Sequence, residues 1–144
     1  MSIKIELVID MYKKLRIESS INNLSIIENA IEEVMNKIGI TQQDYGKILV
    51  STLEAVNNAI THGNKSEIEK MVDIEISYKK EKLKITVKDE GAGFIPEEIP
   101  DPTTPQNIES VNGRGIFLMS HLADEVKFSK QGNAVTIFFK NLKS

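Results

Sequence analysis

Residues 71–93 read MVDIEISYKKEKLKITVKDEGAG, and this stretch decides the fold of the chain. Apolar residues alternate with polar ones through two runs, which predicts two half-buried strands. One face of each strand is apolar, formed by Val72, Ile74, Ile76 and Tyr78 in the first and by Leu83, Ile85 and Val87 in the second. The polar residues 79–82 between the runs predict a hairpin, and a glycine-rich segment follows the second strand directly.

Two amphipathic helices are predicted before this hairpin. Apolar residues recur at helical spacing over residues 24–38, where Ser20 or Asn22 supplies a cap and Gly39 a stop. The same spacing over residues 41–63 predicts a second helix that begins at a capping threonine and ends at a glycine.

Strands are predicted on both sides of these helices. Residues 3–9 and 15–18 read as strands before them, and residues 125–129 and 134–140 as strands that follow a short helix at 116–123. This order predicts an α/β (α+β) two-layer sandwich. We expect a mixed, mainly antiparallel sheet with about three helices on one face.

A proline-rich segment separates the hairpin from the last part of the chain. All four prolines fall between Pro96 and Pro105, with glycines on both sides. Proline rules out a continuous helix or a central strand here. A loop of about twenty residues in a compact domain is unusual and is commonly an active-site lid. We therefore expect one domain over residues 1–144, with a lid at approximately residues 90–112.

Composition excludes several classes of protein. The chain has 144 residues, 18 basic and 21 acidic side chains, 40% apolar residues and no cysteine, which fits one globular domain. The lack of cysteine excludes disulfide scaffolds, thiolate zinc sites and cysteine nucleophiles. The sequence has no basic stripe of the kind that binds nucleic acid directly. No apolar run approaches the ~20 residues that span a bilayer. We expect a cytoplasmic protein without a signal peptide or membrane contact.

The first polar cluster is EAVNNAITHG at residues 54–63, on the second predicted helix. Glu54 and Asn58 are four residues apart and share a face. That face is turned about 130° from the apolar stripe, at about 100° per residue. A carboxylate and an amide oxygen directed away from the core are ligands that Mg²⁺ accepts. The alternative interpretation is an ordinary solvated helix face.

The second cluster is DEGAGF at residues 89–94, after a strand. A carboxylate there can accept a hydrogen bond from an adenine amino group, and glycines let the backbone approach a flat ring. Alone, the motif is more typical of an ordinary Asp/Gly turn.

The third cluster is NGRG at residues 112–115, which leads into an apolar helix. Backbone N–H groups at a helix start bind anions, and Arg114 can contact phosphate oxygens. A lone GxG is weak evidence by itself, and it matches neither the Walker A pattern nor the GxGxxG fingerprint.

Together the clusters resemble the N, G1 and G2 boxes of the GHKL (Bergerat-fold) ATPases, the superfamily that includes gyrase and the histidine kinases. The order is ExxxNAxxHG, a strand ending in DxGxG, a Pro/Gly lid, then GxG and an apolar helix. The match covers about residues 15–142. The runs EAVNNA and GRGIFL make the chain most similar, within that superfamily, to the anti-sigma factor serine/threonine kinases.

The resemblance implies an adenine-binding end and a phosphate-binding end. At the adenine end, Asp89 matches the adenine-binding aspartate, Gly91 and Gly93 shape the pocket, and Thr136 matches a supporting threonine of the last strand.

At the phosphate end, Asn58 matches the Mg²⁺-binding asparagine and Glu54 the acidic residue proposed as general base. Gly113, Arg114 and Gly115 match the lid hinge and phosphate-binding segment. The segment at residues 95–111 carries no family signature.

The implied activity is that of an ATP-dependent protein serine/threonine kinase using ATP and Mg²⁺. In that family a serine or threonine of a small STAS-domain antagonist is phosphorylated, and a sigma factor competes for the same surface. A homodimer is compatible with the sequence. The alternative function is a nucleotide-gated regulatory binding module with little or no phosphoryl transfer. Sequence leaves the two open, because the acceptor hydroxyl comes from another protein.

Overall fold

The computed structural model describes residues 10–92 and 111–142. The five strands are β1 (Met11–Glu18), β2 (Met71–Lys79), β3 (Lys82–Lys88), β4 (Glu125–Phe128) and β5 (Ala134–Phe139). The three α-helices are α1 (Leu24–Ile38), α2 (Gln42–Asn58) and α3 (Val111–Leu122). The predicted strand at residues 3–9 and most of the predicted lid lie outside the described residues.

The strands form one sheet in the order β1-β2-β3-β5-β4, and every pairing among the described strands is antiparallel. The β2–β3 hairpin is closed by Lys80 and Glu81, at φ of 51° and 62°. Two successive residues with positive φ match the twist of the flanking strands. The predicted hairpin and the mainly antiparallel sheet are therefore confirmed.

One face of the sheet packs against the helices. The alternating apolar residues of β2, β3 and β5 are buried on that face, and the helices contribute their own apolar stripes to the same core. The fully buried side chains include Ile31, Ile48, Ile74, Ile85 and Ile137. The opposite face carries Lys14 and Glu75, which form an ion pair between β1 and β2, and Lys127, which pairs with Glu125 of its own strand. The predicted two-layer α+β sandwich is confirmed.

Gly39 and Thr41 take their predicted roles at helix ends, whereas the N-cap of α1 is Asn23, which makes no side-chain capping hydrogen bond. The Ser20 hydroxyl accepts a hydrogen bond from the Asn22 N–H within a short 3₁₀ turn that precedes α1. Gly39 ends α1 in the left-handed conformation, at φ 70°. The Thr41 hydroxyl accepts from the Asp44 N–H at 3.4 Å and begins α2. No helix within residues 10–92 and 111–142 is long and apolar enough to cross a membrane.

Two elements differ from the sequence prediction. Strand β1 begins at Met11, earlier than the residues 15–18 that were predicted. Helix α3 begins at Val111 instead of residue 116, so the GxG segment lies inside the helix. Each glycine costs a helix interior about 1 kcal/mol relative to alanine. That penalty explains why the sequence pattern predicts a helix that begins only after the glycines.

Two glycines near the α1–α2 connection, Gly39 and Gly46, should respond to the same substitution with opposite changes in the free energy of unfolding. Gly39→Ala should lower the free energy of unfolding by about 1–2 kcal/mol, because a Cβ is strained in the left-handed conformation. Gly46→Ala should raise it by about 0.5–1 kcal/mol, because that exposed position of α2 has open space for a Cβ. Urea denaturation measures both values. Changes of the same sign in the two variants would contradict the assigned backbone conformations.

Candidate nucleotide-binding site

A cavity of about 340 Å³ lies between the end of α2, helix α3 and the ends of strands β3 and β5. That volume is within the range of small-molecule sites. Its lining includes Asn58, His62, Asp89, Ala92, Met119 and Asn133. The first and second sequence clusters therefore meet at one cavity, and α3, which contains the third, forms one of its walls.

Asp89 lies where β3 ends and is held by backbone contacts. Its N–H donates to the Asn133 carbonyl at 2.9 Å, and its Oδ1 accepts from the Gly91 N–H at 2.8 Å. The carboxyl group also packs so closely against Gly63 that a Cβ at position 63 would overlap it. A Cβ on Gly91 would in turn overlap the Gly63 carbonyl. The end of α2 and the end of β3 are thus joined through backbone that only glycine allows.

The environment of Asp89 favours a hydrogen-bonding role. Burial raises the pKa of this carboxyl from its ordinary value of 3.8, while the Gly91 N–H and the charge of Lys70 act in the opposite direction. A partly desolvated carboxyl group binds a polar ligand group more strongly than an exposed one does. This position can therefore recognise a donor group of a flat ligand.

Helix α3 contacts α2 at the predicted phosphate end. A Cβ built on Gly115 would lie 2.8 Å from Asn58 Nδ2 and 3.1 Å from Glu54 Oε2. Both polar side chains are half-buried, so they face α3 instead of open solvent. This face was predicted to point away from the core, and the helical spacing of α2 does not show that α3 covers it.

Gly113 and Arg114 fall within the first turn of α3. Gly93 lies outside the described residues.

The structure corrects the expectation for Thr136. Its neighbours Val135 and Ile137 are buried on the helix-covered face, so Thr136 lies on the opposite face of the sheet. Its hydroxyl lies 3.1 Å from that of Thr86 on the adjacent strand. Thr136 is absent from the cavity lining, whereas Asn133, at the β4–β5 turn, is part of it.

Sequence reasoning missed two polar residues of the lining. Asn133 lies between the strands predicted at residues 125–129 and 134–140, directly before the strand that enters the core. Lys65 lines the cavity at φ 52°, just after a π-helical turn at Ala59–Gly63. A non-glycine residue in the left-handed region is uncommon, and π-turns are frequent at functional sites. Neither feature leaves a periodic signal in the sequence.

Comparison with known proteins places this site in a family. The model of the histidine kinase-like ATPase domain matches residues 17–139, and the chain belongs to that family. The predicted membership of the GHKL-type ATPases is therefore confirmed.

Individual relatives refine the comparison. The chain is 27% identical over 139 residues to the serine-protein kinase RsbW of Staphylococcus epidermidis, covering 92% of this chain and 87% of the relative. It is 27% identical over 137 residues to RsbW of Staphylococcus aureus, covering 90% and 86%. These similarities support the predicted relation to anti-sigma factor kinases.

A solved structure shares the fold. The crystal structure of the RsbU and RsbW domains of a Mycobacterium tuberculosis protein superposes with a TM-score of 0.65 at 16% identity. The match covers 92% of this chain but only 32% of that longer one.

Gly115→Ala tests the contact between α2 and α3. The new methyl group must displace the ends of Asn58 and Glu54, which can move without unfolding the protein. We expect Mg²⁺-ATP affinity to fall about tenfold or more, the effect of misplacing one polar contact. The melting temperature should change little. Calorimetric titration measures the affinity, and Gly46→Ala is the matched control. Unchanged affinity would show that the close approach has no role in nucleotide binding.

Proposed function

We propose that this protein is an ATP- and Mg²⁺-dependent serine/threonine kinase of the anti-sigma factor type, which phosphorylates a STAS-domain antagonist and binds a sigma factor. The observation that carries the proposal is the convergence of Asn58, Asp89 and helix α3 on one cavity, with Glu54 one turn before Asn58. The relatives named serine-protein kinase RsbW support the same activity.

Adenine recognition is assigned to the Asp89 end of the cavity. The carboxyl group accepts a hydrogen bond from the adenine amino group, while Val87 and Met119 supply apolar contact to the ring. Guanine carries a carbonyl at the equivalent position, so GTP should bind poorly. Gly91 lets the ring approach the backbone, and we assign Gly93 the same role from the sequence alone.

Phosphate and metal binding are assigned to the opposite end. The Asn58 amide oxygen is a hard oxygen donor, which is the chemistry Mg²⁺ requires. Asn58 is the proposed metal ligand, and Gly113, Arg114 and Gly115 contribute to phosphate binding. When bound, Mg²⁺ neutralises charge on the phosphate oxygens. Within residues 10–92 and 111–142 no group of three or more His, Asp or Glu could hold a metal, so the proposed site uses phosphate oxygens as well.

Phosphoryl transfer needs a carboxylate that orients the acceptor. The serine or threonine oxygen of the partner attacks the γ-phosphorus, the bond to the bridging oxygen breaks, and ADP leaves. Glu54 accepts the proton of the acceptor hydroxyl, so a phosphoserine or phosphothreonine results. The position of Glu54 on the same helix face as Asn58 supports this assignment.

The proposed partners are protein surfaces. A STAS-domain antagonist supplies the acceptor hydroxyl, and a sigma factor competes for the same surface, both in the cytoplasm. Homodimer formation remains a prediction.

Glu54→Gln tests the kinase activity most sharply. The amide keeps the shape of the side chain but removes its charge and most of its basicity. Labelling of a STAS-domain partner from γ-labelled ATP should slow by about 10²–10⁴-fold, the usual value of general-base assistance. ATP affinity should change little. Single-turnover labelling and calorimetry measure the two quantities, and Glu32→Gln, at an exposed position of α1, is the matched control.

The outcomes separate the two functions. An unchanged labelling rate in Glu54→Gln would exclude Glu54 as the base. Tight ATP binding by the wild type without labelling of any STAS-domain partner would instead support the nucleotide-gated binding module.

A further inference from the structure

We propose that Asn64 is a positioning residue for nucleotide recognition. Asn64 fixes the position of Asp89 by accepting a hydrogen bond from the N–H of the next residue, Glu90. The inference rests on the proposed function, because it concerns the adenine end of the same site. Asn64 does not itself line the cavity. It acts on the ligand indirectly, by positioning the end of β3, where Asp89 contacts the ligand.

Asn64 is a buried polar hub. Its side chain is 0% exposed, although it follows directly after the π-helical turn at the end of α2. Its Nδ2 donates to Ser19 Oγ at 2.8 Å and to the Met71 carbonyl at 3.0 Å. Its Oδ1 accepts from the Glu90 N–H at 2.8 Å. Three distant segments, the ends of β1 and β3 and the start of β2, are therefore tied to one amide group.

The contact to Glu90 completes the turn that carries the aspartate. The Asp89 N–H is bound by the Asn133 carbonyl, and the Gly91 N–H by Asp89 Oδ1. The Glu90 N–H between them is bound by Asn64 alone among the contacts of the described residues. The Glu90 carboxylate accepts from the Met71 N–H at 2.5 Å and holds the same turn from its other side. Without Asn64, the central N–H of this turn loses its partner.

The backbone of Asn64 links the turn to α2. Its N–H donates to the Ala59 carbonyl at 2.8 Å, a five-residue spacing that closes the π-helical turn. This turn also brings Gly63 against the Asp89 carboxyl group. Residues 63 and 64 thus make two contacts with the end of β3: Gly63 contacts the Asp89 carboxyl group, and Asn64 accepts from the Glu90 N–H. Small errors in such a frame displace a binding group, because recognition requires placement within about 0.5 Å.

A buried asparagine can also serve stability alone, and the two roles predict different results. Loss of stability would weaken every nucleotide alike at temperatures near unfolding. Loss of positioning would selectively weaken the nucleotide that Asp89 recognises. It would also have no further effect where the Asp89 carboxylate has already been removed.

The test measures ATP and GTP dissociation constants by calorimetry, well below the melting temperature of each variant. Asn64→Ala should weaken ATP binding about three- to tenfold, as expected for one misplaced hydrogen bond, and reduce the preference for ATP over GTP. If this variant does not fold, Asn64→Ser replaces it, because its shorter side chain cannot reach the Glu90 N–H. Ser19→Ala is the control: it removes one Asn64 contact but leaves the contact to Glu90, so the ATP preference should be kept.

A double-mutant cycle completes the test. In the Asp89→Asn background, Asn64→Ala should cause no further loss of ATP affinity, since coupled residues are not additive. Equal weakening of ATP and GTP, additive losses in the cycle, or the same loss in Ser19→Ala would overturn the inference. Failure of the wild type to bind ATP would instead overturn the proposed function on which it rests.

Discussion

The site depends on glycine positions where the backbone lies so close to a polar group that an added Cβ would have to displace that group. At Gly63 the excluded methyl group would occupy the position of the Asp89 carboxyl, and at Gly115 it would press on Asn58 and Glu54. These contacts bring the end of β3 and the helix α3 against a single helix, α2. Close packing leaves little room for rearrangement, because protein interiors are as dense as organic crystals. The neighbouring backbone therefore restricts where the polar groups of the cavity can lie.

Helix α2 organises the two ends of the cavity. Residues 54–63 extend over roughly 13–14 Å, at about 1.5 Å per residue. Glu54 and Asn58 lie in the last part of α2, beside α3, and Gly63 lies five residues beyond Asn58, at the end of the π-helical turn and beside Asp89. A ligand with a flat polar head and a charged tail matches this separation of chemistry. The π-helical turn at Ala59–Gly63 widens the final part of the helix and so sets the contact with β3.

Much of the fold was predictable because burial imposes a period. Alternation in β2 and β3 and helical spacing in α1 and α2 identified the elements, and the capping roles of Thr41 and Gly39 followed from residue chemistry. The start of α3 was missed because glycine propensity opposes helix, and tertiary contact with α2 overrides it at Gly115.

The candidate site was predictable only in part. Asp89, Asn58 and Glu54 were found from motif spacing, but no spacing rule showed that α3 covers the last two. Thr136 was placed at the ligand, although its buried neighbours at 135 and 137 already direct it to the opposite face. Asn64 lies in a polar turn that resembles any exposed loop. Its burial depends on three segments meeting in space, which no local pattern encodes.

The central claim is that these separate segments form one nucleotide site, and amide hydrogen exchange with and without Mg²⁺-ATP tests it most directly. The account predicts slower exchange at residues 54–63, 89–92, 111–119 and 132–135, which line the cavity or contain its neighbouring polar groups. Strand β1, at the far edge of the sheet, should exchange at an unchanged rate. Protection that is absent from the four segments, or that is confined to β1 and α1, would contradict the account.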